Sequence, residues 1–255
     1  MSPLPTDGIE VQELSQPELD TPVLIEGLPG VGHVGKLAAE HLLEEVESEP
    51  VRRIISEHFP PQVSVDQSST AALPAAELHH VSVDERDVLV LVGDHQAVTP
   101  MGHYRLAAAI LDEAESFGVE QVFPLGGMPT GEIQDAPEVI GAVSRTDLTD
   151  TFEPHGVSFR EQEPTGGIVG VSGLLLGLGA ERDLDVVCLM GETSGYLVDP
   201  RSAKVVLEVL ESALEFSIGY EKLEARGAEM ENMIRRLQEM QQAELATDED
   251  LRYIG

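Results

Sequence analysis

The stretch Gly27-Leu28-Pro29-Gly30-Val31-Gly32-His33-Val34-Gly35-Lys36 carries the spacing of a phosphate-binding loop in two ways. Gly30, Gly32 and Gly35 stand as G-x-G-x-x-G, the dinucleotide fingerprint, and Glu57 follows at the end of a later β-rich run, where such folds place an acid against ribose. Gly30 to Lys36 also read as G-x-x-x-x-G-K, in which backbone N–H groups surround the phosphates and the lysine meets their charge. Asp94, just past the apolar run Val88 to Val92, resembles a magnesium-holding acid. Neither pattern is complete. Leu37 stands where a magnesium-binding hydroxyl belongs, and Pro29 precedes Gly30 in a glycine series that already begins at Gly27. The same glycines also suit a tight strand-to-helix turn, permitting positive φ and close helix-to-sheet approach with no ligand at all. The candidate ligand-binding residues are thus Gly27, Gly30, Gly32, Gly35, Lys36 and Asp94.

The other reactive side chains do not assemble into a catalytic set. The eight histidines include no i, i+4 pair of the kind a zinc-binding helix uses, and His79 and His80 in a strand would point to opposite faces, so no metal site is expected. There is no G-x-S-x-G elbow. Ser172, within Gly170-Val171-Ser172-Gly173, reads instead as the cap of a helix beginning near Gly173. Cys188 is the single cysteine, which excludes an intrachain disulfide, and its setting in Val186-Val187-Cys188-Leu189-Met190 is that of a buried packing thiol. Asp94, His95 and His103 either line a crevice with the glycine loop or cap turns. Without a nucleophile–base pair, neither a catalytic residue nor a cofactor is expected.

The elements that must hold these residues alternate along the chain. Strands are expected at Val23 to Glu26, Arg52 to Ser56, His79 to Val83, Val88 to Val92, Gln121 to Leu125, Val139 to Val143 and Val186 to Met190. Helices are expected at His33 to Val46, His103 to Phe117, Val171 to Leu178 and Ser202 to Glu215, the last announced by Asp199-Pro200. Runs such as Val88-Leu89-Val90-Leu91-Val92 lack polar alternation, so their sheet must be covered on both faces. The expected fold class is α/β: a three-layer α/β/α domain over 21–218 with a mostly parallel or mixed sheet, preceded by an acidic flexible arm, 1–20.

Beyond Gly219 the character changes. Residues 219–246 form an expected amphipathic helix whose Met230, Met233, Leu237 and Met240 fall at heptad spacing. Between Glu221 and Met240, five acids face four bases, so this helix is nearly neutral in an acidic chain. It either meets a copy of itself or packs back on its own domain. Residues 247–255 end in Leu251, Tyr253, Ile254 and Gly255 behind an acidic spacer, the pattern of a docking tail.

Charge bounds the partners. With 47 Asp and Glu against 15 Lys and Arg, the formal charge is -32, and only three bases are lysines. At about 1 M salt the screening length falls to about 3 Å, so such self-repulsion is tolerable there. An acid-rich, lysine-poor, tryptophan-free chain therefore reads as adapted to molar salt. Nucleic acid and membrane surfaces, both anionic, are poor partners. The first 20 residues hold five acids, no base and no apolar core, unlike a secretion signal, and a cytoplasmic protein is expected.

Gly27-Leu28-Pro29-Gly30-Val31-Gly32 with Val34-Gly35-Lys36, then Leu125-Gly126-Gly127, Gly170 to Gly177 and Cys188-Leu189-Met190-Gly191-Glu192-Thr193, resembles the proteasome assembly chaperone family in its archaeal, haloarchaeal-type branch. The resemblance covers about Thr21 to Leu214. It implies a fold similar to the purine nucleoside phosphorylase type, self-association into a homo-oligomer, and binding to proteasome α subunits rather than catalysis. Some members end in a hydrophobic residue, tyrosine and one last residue; here Tyr253 is followed by two, Ile254 and Gly255. The competing expectation is a nucleotide- or nucleoside-binding enzyme, ligase- or phosphorylase-like, that uses the Gly27 to Lys36 loop.

Overall fold

The structure, a computed structural model, describes residues 8–65, 68–161 and 166–230. In chain order the elements are β1 (Ile9–Glu13), β2 (Val23–Gly27), α1 (Val34–Glu45), β3 (Ser48–Ser56), β4 (Ser64–Val65), β5 (Ala71–Ala72), β6 (Ala75–Val83), β7 (Arg86–Gly93) and α2 (Pro100–Ser116). They continue as β8 (Gln121–Pro129), β9 (Val139–Val143), α3 (Asp147–Phe152), β10 (Val157–Ser158), α4 (Val171–Ala180), β11 (Asp185–Thr193) and α5 (Pro200–Leu214). Residues 221–230 are again helical.

Among the described residues nine strands form one sheet in the order β1-β3-β6-β7-β2-β8-β11-β9-β10, and β4 pairs with β5 in a separate small hairpin. The centre, β7-β2-β8-β11, is parallel, while β1, β3 and β6 join antiparallel on one side and β9 antiparallel to β11 on the other. The sheet is therefore mixed. The all-apolar strands divide their side chains between two layers, as their lack of alternation requires. Val23, Ile25, Val88 and Val90 pack with Val34, Ala38 and Leu42 of α1 and Val206, Leu207 and Leu210 of α5. Leu24, Leu89 and Leu91 face the other way, against Leu106, Ile110 and Leu111 of α2 and Leu175 of α4.

Two helix starts follow from local chemistry. Thr99 accepts from Gly102 N at 3.1 Å and Asp199 from Ser202 N at 3.1 Å, each followed by a proline at the first helical position, where its missing N–H costs nothing. No helix among the described residues is long and apolar enough to cross a membrane.

Two expectations need correction. The segment 1–20 is not a loose arm throughout, because Ile9–Glu13 pairs antiparallel with Arg52 to Ser56 and Ile9 is buried. Ser172 does not cap a helix: Gly170 holds the N-cap position of α4, and the Ser172 side chain points into the core.

The 221–230 helix packs back on its own domain. Leu223 is buried with the α1 and α5 layer, Lys222 pairs with Glu45 at 2.9 Å, and Arg226 pairs with Glu44 at 2.7 Å. Met230 is half-buried. Met233, Leu237, Met240 and the tail residues Leu251, Tyr253, Ile254 and Gly255 lie outside the described residues.

Candidate functional site

The glycine loop leaves the carboxyl end of β2, between β7 and β8, where parallel α/β sheets hold ligands. Three of its four candidate glycines are closed in by the protein's own atoms. Gly32 has φ 62°, and a Cβ there would lie 2.8 Å from the Thr193 hydroxyl. At Gly35 a Cβ would come within 2.3 Å of the Leu125 carbonyl oxygen, so glycine is what lets α1 lie against β8. Gly27 is closed in by the Gly35 carbonyl, 2.5 Å from where its Cβ would be. Only Gly30 among the four faces open space. The Gly32 carbonyl accepts from Asp199 N at 2.9 Å, which ties the loop to the start of α5.

Lys36 and Asp94 are brought together, but by pairing with one another. Their Nζ and Oδ1 atoms are 2.5 Å apart, and Glu40 stands 3.5 Å from the same ammonium. Burial alone would lower the Lys36 pKa, yet the Asp94 hydrogen bond and the charges of Glu40 and Asp94 outweigh it and hold the group protonated. Lys36 in turn holds the Asp94 carboxyl below its usual range. Two carboxylates thus answer the cation that a P-loop would direct at phosphate.

The sequence reading missed the residues that fix this loop. Glu26, the last side chain of β2 before Gly27, is fully buried. Its carboxylate accepts from Leu28 N at 2.8 Å and from the Ser172 hydroxyl at 2.8 Å. Burial nevertheless pushes its pKa up to about 7, the two hydrogen bonds opposing. Gln96 makes a second clip: its Nε2 donates to Pro29 O at 2.6 Å and its Oε1 accepts from Val171 N at 3.1 Å. Together they fasten the glycine loop to the first turn of α4. A carboxylate closing the run Val23-Leu24-Ile25 was the available signal. Nothing in the sequence near Gln96 announced its partners.

Cys188 is buried as expected, its thiol pushed up by burial and by the nearby Glu26. His79 and His80 part to separate acids, Glu77 and Asp87. Among the described residues no group of three His, Cys, Asp or Glu side chains could hold a metal ion.

Fold and site together define a three-layer α/β/α protein whose glycine-rich turn is a packing joint. The chain belongs to the PAC2 family, whose profile matches residues 24–238. It is similar to an uncharacterised protein of Methanocaldococcus jannaschii, with 38% identity over 244 residues that cover 93% of each chain. Among solved structures it resembles Pyrococcus furiosus PbaB, an archaeal proteasome activator, with a TM-score of 0.86 and 34% identity across 91% of this chain and 100% of that one. Pyrococcus furiosus PbaA, an archaeal homolog of proteasome-assembly chaperone, follows with a TM-score of 0.72 and 28% identity across 91% and 96% of the two chains. The likeness to proteasome assembly chaperones anticipated from the motifs therefore holds at the level of the family, a non-enzymatic one, and these relatives are archaeal.

Proposed function

We propose that this chain is a proteasome assembly chaperone-like protein that self-associates, binds proteasome α subunits and catalyses nothing, in the cytoplasm of a salt-adapted archaeon of the haloarchaeal type. The observation that carries this reading is the correspondence with the proteasome activator PbaB, at 34% identity over 91% of this chain and all of that one. The loop geometry supports it, because Gly27, Gly32 and Gly35 are filled by the protein's own backbone and side chains and Lys36 is neutralised by Asp94 and Glu40. Contact with α subunits falls to the helix side chains Met230, Met233, Leu237 and Met240 and to the tail residues Leu251, Tyr253, Ile254 and Gly255. Methionine suits an adaptable contact.

Capture of purified α subunits from the same cell, in molar KCl, tests the reading. The full chain retains them, and a chain cut after Ala246 retains fewer. Equal retention by the two removes the tail from the reading, and retention by neither overturns it.

A further inference from the structure

We propose that the face built by residues 58–65 and 68–74, taken together as one segment, and by residues 95–105 is where one copy of this chain meets a second copy. The proposal rests on the self-association in the proposed function and assigns it a surface. The two segments fold against each other at the carboxyl end of the central strands. Val98 N donates to His58 O at 2.8 Å, the Gln62 and His95 side chains meet at 2.9 Å, and a Cβ on Gly102 would come within 2.4 Å of His58 Cβ. The β4–β5 hairpin lies within the first segment, its strands paired through Ser64 and Ala72.

Two properties set this face apart. Val63, Val65, Leu73, Val98, Met101 and Tyr104 are each between 53% and 63% exposed. Single exposed apolar residues need no explanation, but a group of them marks a contact surface. The second property is charge. At the chain's density of 47 acids in 255 residues the described residues of these segments would hold about five, and they hold none. Their bases are His58, His95, His103 and Arg105. At the borders stand Glu57 and Asp94, the latter paired with Lys36.

The occupant follows from the same two properties. A chain of formal charge -32 repels its own copy wherever both surfaces carry carboxylates, and burying those carboxylates would strip them of water. Two copies presenting this face to one another avoid both costs, because its described residues bring no carboxylate to the contact. An apolar, acid-poor patch is complementary to itself, which is what a two-fold contact demands. Its burial is favoured at about 25 cal/mol per Å² of apolar area, and salts excluded from protein surfaces strengthen it.

Light scattering on the full chain in molar KCl tests the assignment. Wild type is expected at a multiple of 27.5 kDa. The double variant V98D/M101D is expected to fall toward a single chain, with association weakened by about tenfold or more. L14D, at an exposed leucine whose N–H donates to Val51 O midway along β3 and outside the proposed face, is expected to keep the wild-type mass. V98S/M101S, which adds no charge, is expected to shift the same way by less, and an unchanged thermal unfolding curve for it separates lost association from a lost fold. An undiminished oligomer in V98D/M101D overturns this assignment and leaves self-association standing. A monomeric wild type overturns both. A double variant that keeps its mass but loses α-subunit capture gives the face to that partner and also overturns the assignment.

Discussion

The Ser172 hydroxyl donates to the Glu26 carboxylate at 2.8 Å across 146 residues of sequence, inside a site that admits no water-exposed surface at Glu26. A titratable carboxyl is thereby held in a core that favours its neutral form.

Stability should consequently fall as pH rises through the range of Glu26. Its folded pKa, about 7, exceeds the ordinary 4.5, so the folded state holds the proton more tightly and the favourable contribution is lost between those values as pH increases. Glu26→Gln removes the ionisation while its amide oxygen can still accept from Leu28 N and its NH2 can donate to the Ser172 hydroxyl oxygen. In urea unfolding at molar salt, the variant is expected to lose this part of the pH slope and to exceed wild type at pH 8 by up to about 3 kcal/mol. Parallel pH profiles for the two proteins would contradict it.

The glycines of the loop should differ sharply in tolerance. Gly35→Ala puts a methyl 2.3 Å from the Leu125 carbonyl oxygen, a backbone atom that cannot rotate away, and is expected to destabilise by about 1–3 kcal/mol. Gly30→Ala meets nothing within 4 Å and is expected to stay within about 0.5 kcal/mol of wild type. A phosphate loop would make Gly30 the more sensitive in ligand binding, so equal melting curves with and without ATP in both variants complete the comparison.

Lys36→Met removes the partner of Asp94 and Glu40. Because Asp94 is largely solvent-exposed, the loss is expected at no more than about 1 kcal/mol in dilute salt and less in molar KCl, read from unfolding midpoints at both. If Lys36 instead gripped a nucleotide, wild type with ligand at a hundred times its dissociation constant would gain about 2.7 kcal/mol and the variant would not.

Leu223→Ala opens a cavity under the 221–230 helix where Leu223 now packs with the α1 and α5 layer. Hydrogen exchange across 221–230 is expected to quicken while the central strands stay protected, with a local loss of about 2–5 kcal/mol. Unchanged protection there would show that the ion pairs to Glu44 and Glu45 suffice to hold the helix.

The central strands were legible because buried parallel strands must be apolar on both faces, and Val88 to Val92 is so written. β1 escaped notice because an edge strand in a charged segment offers only the weak alternation Ile9-Glu10-Val11-Gln12-Glu13. The glycine loop was found but its purpose stayed open, since a phosphate and a carbonyl such as Leu125 O make the same demand for a missing Cβ. Ser172 and Glu26 could not be joined from the chain alone: their hydrogen bond depends on the first turn of α4 reaching the end of β2, a tertiary fact with no local trace. Whether the last helix turns inward was equally hidden, for the same stripe serves either contact, and Leu223, one heptad before Met230, decided it for 221–230.

Each of the three lysines is already engaged: Lys36 with Asp94, Lys204 with Glu224 at 2.6 Å, and Lys222 with Glu45. Acetylation, or an amine-directed label or cross-linker, would therefore break an internal contact at any of them. Carboxylate-directed reagents have a broad acidic surface to modify instead, and fit this molecule as tags for mapping its neighbours.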